Sequence, residues 1–278
     1  YGHFLGLPDL YDIDYLPSGS DGTGDWSLMS GGSWNGGGAK PSHFDAWSKD
    51  FLGFVNVIDV TTNLVNVALP AVEYNPVIYR ISNGISQPNE YWYVENRQKV
   101  GFDATLPGSG LLIFHVDYSM YGSNYDNTHW FVGVEQADGL FDLEWNPSSG
   151  DQGDPFPGSK NAREFHDLTI PSPSLNVYGT PTNMGLWNIS NSDSVMYADF
   201  DIEWSRPYIV LSGADSLSFE DPIPLGDGDG DLDPGDTVNF FCSLKNFMLT
   251  GYNPKANLST GNPDVTFLVN DVPLNSHL

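Results

Sequence analysis

The chain has 278 residues, 40% of them hydrophobic and 14% aromatic, with 30 glycines and 20 prolines. That is enough apolar material for a large core, in a composition that favours short strands and turns over long helices. A formal net charge of -26 excludes nucleic-acid binding, which needs basic stripes, and electrostatic attachment to anionic membranes. Cys242 is the single cysteine, which argues against Cys-based zinc sites and Cys-His nucleophiles, and nothing approaches the run of about 18 apolar residues that a membrane span needs.

In chain order, residues Tyr1 to Leu5 read as the end of a helix stopped by Gly6 and Pro8. A Gly/Ser/Asp loop follows from Ser18 to Gly38, and a second helix is predicted over Ser42 to Leu52, where His43, Phe44, Trp47, Phe51 and Leu52 stand near helical spacing. From Val55 the pattern turns to strands, predicted at Val55–Val60, Leu64–Leu69, Val77–Ile81, Glu90–Asn96, Gly110–Asp117, His129–Gln136 and Val195–Trp204. Within the fifth of these, Leu111-Leu112-Ile113-Phe114 is a continuous apolar run, which suits a strand covered on both faces. Arg206-Pro207 marks a boundary, beyond which Tyr208–Ser212, Thr237–Leu244 and Val265–Leu268 read as strands of a second β module.

The first residues carry chemistry. Tyr1-Gly2-His3-Phe4-Leu5-Gly6-Leu7-Pro8-Asp9 has the spacing of the zinc-protease motif H-E-x-x-H-x-x-G-x-x-(H or D) without its leading His-Glu pair. In that register His3 and Asp9 are zinc ligands, Gly6 ends the helix with a positive φ, and the general-base Glu is expected just before Tyr1. Trp26-Ser27-Leu28-Met29-Ser30-Gly31-Gly32 then reads as a tight methionine turn, with Met29 forming an apolar floor below the metal.

A second signal is Asp227-Gly228-Asp229-Gly230-Asp231-Leu232-Asp233-Pro234-Gly235-Asp236, whose carboxylates at Asp227, Asp229, Asp231, Asp233 and Asp236 form a loop of hard oxygen ligands suited to Ca²⁺. Weaker calcium candidates are Asp138, Asp142, Asp151 and Asp154, in one carboxylate group with Glu144, and a set flanking the zinc motif, Asp12, Asp14, Asp21 and Asp25; ordinary turn chemistry accounts equally for both. His43, His115, His129 and His166 have no partner at diagnostic spacing and read as structural, as do Glu95 and Arg97.

The segments GHFLGLPDLYDID, GDWSLMSGGSWNG and PSHFDAWSKDFLGF, followed in order by EYWYVENRQKVGFDATLPGSGLLIFHVD and VGVEQADGLFDLEWNPSSGDQGDPFPG, resemble the immune inhibitor A family of secreted bacterial metallopeptidases, from Tyr1 to about Trp204. The resemblance implies a mainly β chain with a small α part: the C-terminal half of a metzincin-like catalytic domain followed by β-sandwich domains. With the strand pattern and the boundary at Arg206-Pro207, the chain is expected to divide into residues 1–60 (active-site helix end, Met-turn, helix), residues 61–205 (a β-rich domain packed on them) and residues 206–278 (an Ig-like sandwich module with the acidic loop). It implies a secreted, extracellular zinc endopeptidase with Zn²⁺ and Ca²⁺, acting on protein or peptide substrates and completed by an upstream part of the same polypeptide. The rival reading is an extracellular calcium-binding β-sandwich adhesion protein with a degenerate protease site.

Overall fold

A computed structural model describes residues 1–13, 19–82, 89–122, 124–125, 129–145, 148–175 and 179–202 of a first compact unit, Tyr1–Glu203. In a second unit, Trp204–Leu278, it describes residues 209–211, 217–220, 223, 237, 239–242, 244–246, 255–257 and 271–273. The fold is mainly β, with few helices.

The first unit is built on two sheets. One has the order β1-β3-β4-β5-β6, formed by β1 (Asn56–Val60), β3 (Val77–Ile81), β4 (Glu90–Arg97), β5 (Gly110–Asp117) and β6 (Val132–Val134). Its β1–β3 pair is parallel and the other pairs are antiparallel. The other sheet is antiparallel, in the order β2-β9-β8-β7, from β2 (Leu64–Pro70), β9 (Val195–Asp201), β8 (Gly185–Trp187) and β7 (Phe165–His166). The chain therefore leaves the first sheet after β1, enters the second as β2, and returns as β3.

Strand β5 decides the layering. Alternate side chains of a strand point to opposite faces, and both faces are apolar here. Leu112, Phe114 and Val116 join a core cluster with Leu7, Leu10, Trp26, Met29 and Trp47. Leu111 and Ile113 join another with Phe165, Leu186, Met196 and Phe200. The same alternation runs through β4, where Tyr93 faces the first cluster and Trp92 and Val94 the second. One face of the five-stranded sheet thus carries the N-terminal segment, and the other carries the second sheet.

The helical content is smaller than the sequence pattern suggests. Helix α1 covers only Ala46–Phe51, because Asp45 adopts an extended conformation and caps it, accepting from the Ser48 backbone N–H at 2.8 Å. Pro41 to Phe44 lie outside it. Residues Gly31–Gly38 form 3₁₀ turns broken at Asn35, Gly36 and Gly37. A second short helix, α2 (Asp142–Trp145), was not expected; the side-chain carbonyl of Gln136 accepts from the Asp142 N–H at 2.7 Å and so satisfies its first turn. The strand expected over His129–Gln136 contracts to β6, with Trp130 and Phe131 ahead of it buried in the same core cluster as Val132 and Val134.

In the second unit, β10 (Ile209–Leu211) pairs with β13 (Leu244–Asn246), β11 (Leu217–Glu220) with β12 (Asn239–Cys242), and β14 (Lys255–Asn257) with β15 (Asp271–Pro273), all antiparallel. The acidic loop with Asp227, Asp229, Asp231, Asp233 and Asp236, and the strand expected at Val265–Leu268, lie outside the described residues.

A buried ion network fastens the N-terminal segment to the sheet. Arg97, at the end of β4, has a fully buried side chain. It bonds Asp103 through Nε at 2.8 Å, Glu95 through Nη1 at 3.0 Å and the Trp26 carbonyl at 3.2 Å. Lys49 of α1 meets the other oxygen of Glu95 at 2.6 Å, and Asp103 accepts the backbone N–H of His43 at 2.8 Å. Burial pushes the Lys49 pKa down, opposed by Glu95. Burial also acts to raise that of Asp103, but Arg97 outweighs it and holds this carboxyl at about 2. Glu73 stands 3.6 Å from Arg97 with its side chain 3% exposed, and burial pushes it up to about 7.

Replacing Arg97 by Met strands Asp103 and leaves Glu95 with Lys49 alone, so urea unfolding of the Arg97→Met variant is expected to show a loss of about 3–5 kcal/mol. Glu73 supplies a pH signature. Its folded pKa lies above the unfolded value of 4.5, so its contribution is complete below that value and disappears as pH rises through about 7. A Glu73→Gln variant is expected to lose about 2–3 kcal/mol less than wild type across that window in denaturation at pH 4.5 and 8.

Candidate metal centre

His3 sits in a single 3₁₀ turn, His3–Leu5, that ends at Gly6 with φ 93°. Only glycine adopts that conformation without strain, and it reverses the chain. The Gly6 N–H returns to the His3 carbonyl at 3.0 Å and the Leu7 N–H to the Gly2 carbonyl at 3.1 Å. The turn brings His3 Nε2 to 3.1 Å from Asp9 Oδ1.

The other imidazole nitrogen fixes the ring. His3 Nδ1 stands 3.0 Å from the Leu7 carbonyl, an oxygen that can only accept, so Nδ1 carries the proton. Nε2 therefore faces the carboxylate either as a donor to it in an ion pair or as a lone pair open to a metal ion beside it. Two ligands of one tetrahedral zinc, each about 2.0 Å from it, stand about 3.3 Å apart, close to the separation found. The backbone bond at Nδ1 is the usual support for a metal-binding imidazole. The side chains of His3 and Asp9 are 63% and 31% exposed, so the pair is open to solvent and to a substrate. These residues fit a zinc ion as two of its ligands.

Met29 lies directly against this turn. A Cβ placed on Gly2 would stand 2.2 Å from the Met29 sulfur, so glycine at position 2 is what lets the thioether approach. Met29 is 6% exposed, and its carbonyl accepts the Leu10 N–H at 3.0 Å, just after Asp9. Two residues that motif reading passed over hold this turn. Ser27 Oγ accepts the Met29 N–H at 3.0 Å and donates to Asp45 Oδ2 at 2.7 Å. Asp45, fully buried, also takes the Ser48 hydroxyl at 2.7 Å. One carboxylate thereby caps α1 and steadies the methionine turn; its signal in the sequence is an Asp three residues before a Ser at a helix start.

Of the weaker carboxylate sets, one converges. Asp138, Asp151 and Asp154 each bring an oxygen within 4.8 Å of the others. Asp154 accepts the Trp26 indole N–H at 2.8 Å and the Asp151 N–H at 3.0 Å. Burial first, and the charges of Asp151 and Asp138 next, push its pKa up to about 7. Asp142 stands in α2 and is not part of this group. Near the zinc motif, Asp14 lies outside the described residues. Asp12, Asp21 and Asp25 form no group of three metal-spaced ligands among the described residues, although burial and the charge of Asp21 together raise the pKa of Asp25.

The remaining histidines have structural partners. His43 faces Asp103, His129 Nε2 meets Asp117 at 2.6 Å, and His166 stacks on Trp187. His115 lies between Glu90 at 3.0 Å and Glu135 at 3.4 Å and stacks on Trp92. Burial opposes its charge, but the two carboxylates lift its pKa to about 9.

An Asp45→Ala variant removes the α1 cap and leaves the Ser27 and Ser48 hydroxyls without their acceptor. Thermal and urea unfolding are expected to show a loss of about 2–3 kcal/mol, with a shift of the Met29 methyl resonance that an equally destabilising change elsewhere does not produce.

Comparison with known proteins places this segment. Residues 1–55 match the family described as immune inhibitor A peptidase M6, catalytic domain. The pre-pro-metalloprotease PrtV of Vibrio cholerae serotype O1 is 52% identical over 54 residues, covering 19% of this chain and 6% of that protein. Immune inhibitor A of Bacillus thuringiensis subsp. alesti is 37% identical over 82 residues, covering 27% of this chain and 12% of that protein. The matches thus span a small part of these relatives, and they include His3, Asp9 and Met29 within the family segment. Residues 1–55 are thus similar to the catalytic domain of immune inhibitor A-like metallopeptidases.

Proposed function

We propose that the chain is part of a secreted zinc-dependent endopeptidase of metzincin type acting on protein or peptide substrates. The observation that carries this reading is the approach of His3 Nε2 to Asp9 Oδ1 at 3.1 Å, over a buried methionine. His3 would offer Nε2 because Leu7 holds the proton on Nδ1, and Asp9 would offer Oδ1. Met29, packed on Gly2, keeps the floor of the site apolar and its geometry fixed. When bound, zinc supplies the polarisation that makes a water nucleophilic at neutral pH toward a peptide carbonyl. The first histidine and the general-base glutamate of the motif are not among the 278 residues; on this reading they come from the same polypeptide just ahead of Tyr1. The five-stranded sheet and its buried ion network serve as the scaffold that holds the segment in place.

We assign calcium to the group Asp138, Asp151 and Asp154, where three carboxylate oxygens converge and a divalent cation removes their mutual repulsion. The loop from Asp227 to Asp236 is proposed as a second site on its sequence pattern alone.

Metal analysis of the polypeptide that includes the residues ahead of Tyr1 tests the zinc reading. About one zinc per chain is expected, with loss of zinc and of casein hydrolysis in His3→Ala and Asp9→Ala while the thermal transition is kept. Full zinc content in both variants, or a pair other than His-Glu in the two positions before Tyr1, ends the proposal. For calcium, the expected result is a rise in the melting temperature on adding Ca²⁺ that is lost in Asp138→Asn; an equal rise in that variant moves the ion elsewhere.

A further inference from the structure

Away from the proposed zinc ligands, the first unit has a cavity of about 550 Å³ between β5, β6, α2 and the loop at Thr169–Ser174. Three aromatic side chains line it: Trp130, Phe141 and Trp145. Trp145 is 66% exposed and Ile170, on the rim, 73%, so the mouth offers large apolar surface to water. Two carboxylates, Glu135 and Glu144, also line it.

The charges do not balance. Glu135 receives the Trp92 indole N–H at 3.1 Å and shares the His115 imidazole with Glu90. That imidazole is charged at neutral pH, since the two carboxylates overcome its burial and lift its pKa to about 9, but it is one positive charge between two negative ones. Glu144 is a second carboxyl on the wall; burial lifts its pKa to about 7, and it accepts the Gln136 Nε2 at 2.6 Å. Among the described residues no lysine or arginine lines the cavity, and none forms an ion pair with Glu144.

The lining selects its ligand by exclusion. An anion meets uncompensated carboxylates. A neutral apolar group desolvates Glu144 without offering it a partner. A bare metal ion has no body to cover Trp145 and Ile170, and the carboxylates that converge as metal ligands, Asp138, Asp151 and Asp154, do not line this cavity. An organic cation satisfies both walls: its charge pairs with the carboxylates and its apolar stem or planar head lies on the aromatic faces.

We propose that this cavity binds an alkylguanidinium or alkylammonium group, the chemistry of an arginine or lysine side chain and of a free polyamine. Isothermal titration of the full chain with Nα-acetyl-arginine methylamide, with spermidine, and with the citrulline analogue tests it without reading any catalysis. At least one cation is expected to bind saturably; the tighter of the two identifies the source. The neutral citrulline analogue is expected to bind at least about tenfold more weakly than the arginine derivative, which is about 1.4 kcal/mol. Glu144→Gln is expected to weaken the cation by a similar factor. Trp145→Ala, at an exposed position, is expected to do the same with the melting temperature unchanged. Saturable binding absent for both cations, citrulline binding as tightly as arginine, or affinity unchanged in both variants overturns the proposal.

Discussion

Arg97 is the interaction on which the first unit depends. Its guanidinium is fully buried and reaches Glu95 in its own strand, Asp103 in the following turn, and the carbonyl of Trp26 in the N-terminal segment. A planar fork with five N–H groups can serve several acceptors at once in a fixed geometry, which an ammonium cannot. Lys49 extends the network into α1 through the second oxygen of Glu95. The apolar contacts of the same face bring weight but little direction, because hydrophobic attraction scales with area and not with angle. The charged network supplies the direction. It sets where Trp26, His43 and Lys49 must lie on the sheet, and so sets the position of the segment that carries His3, Asp9 and Met29.

From there, order passes outward by short polar links. Trp26 is tied to Arg97 through its carbonyl and to Asp154 through its indole, so the same residue connects the ion network to the carboxylate group in the 138–154 loop. Ser27, next in the chain, bonds Asp45 and Met29. Met29 then meets Gly2 and Leu10 on either side of His3 and Asp9. The open pair His3–Asp9 is thus placed by a buried chain of contacts, while its own side chains stay accessible, the division of labour that the proposed zinc site would use.

Much of this was legible in the sequence, for identifiable reasons. Strand β5 has the predicted bounds, Gly110–Asp117, because a continuous apolar run between a glycine and an aspartate leaves little choice of conformation. His3, Gly6, Asp9 and Met29 were visible as a spaced motif, since spacing along a tight turn is geometry written in one dimension. Strands β7 and β8 were not visible; two or three residues cannot show a period of two. Nor could the surroundings of His115 be read. Glu90 and Glu135 flank it from β4 and from the end of β6, placed there by the register Trp92 to His115 and His115 to Gly133. The choice of Asp138, Asp151 and Asp154 over Asp142 likewise depends on loop closure around Trp26 and not on local pattern.

The charge balance gives these separate features a common cause. The chain has 36 acidic side chains against 10 lysines and arginines, and Arg97 and Lys49 are buried in the scaffold. Few protein cations remain for the other carboxylates. A carboxylate drawn into the fold without a basic partner has three outcomes: it takes a proton, it meets a histidine, or it awaits a cation from solution. Each occurs here. Glu73 is pushed toward protonation by burial. Glu90, Glu135 and Asp117 are paired with His115 and His129. Glu144 and Asp154 are pushed to about 7 in the same way as Glu73, and with Asp9, Asp138 and Asp151 they are the carboxylates for which a cation from solution is proposed. A strongly acidic composition, often read only as a device for solubility, makes folding and the proposed cation binding two parts of one electrostatic problem in this protein.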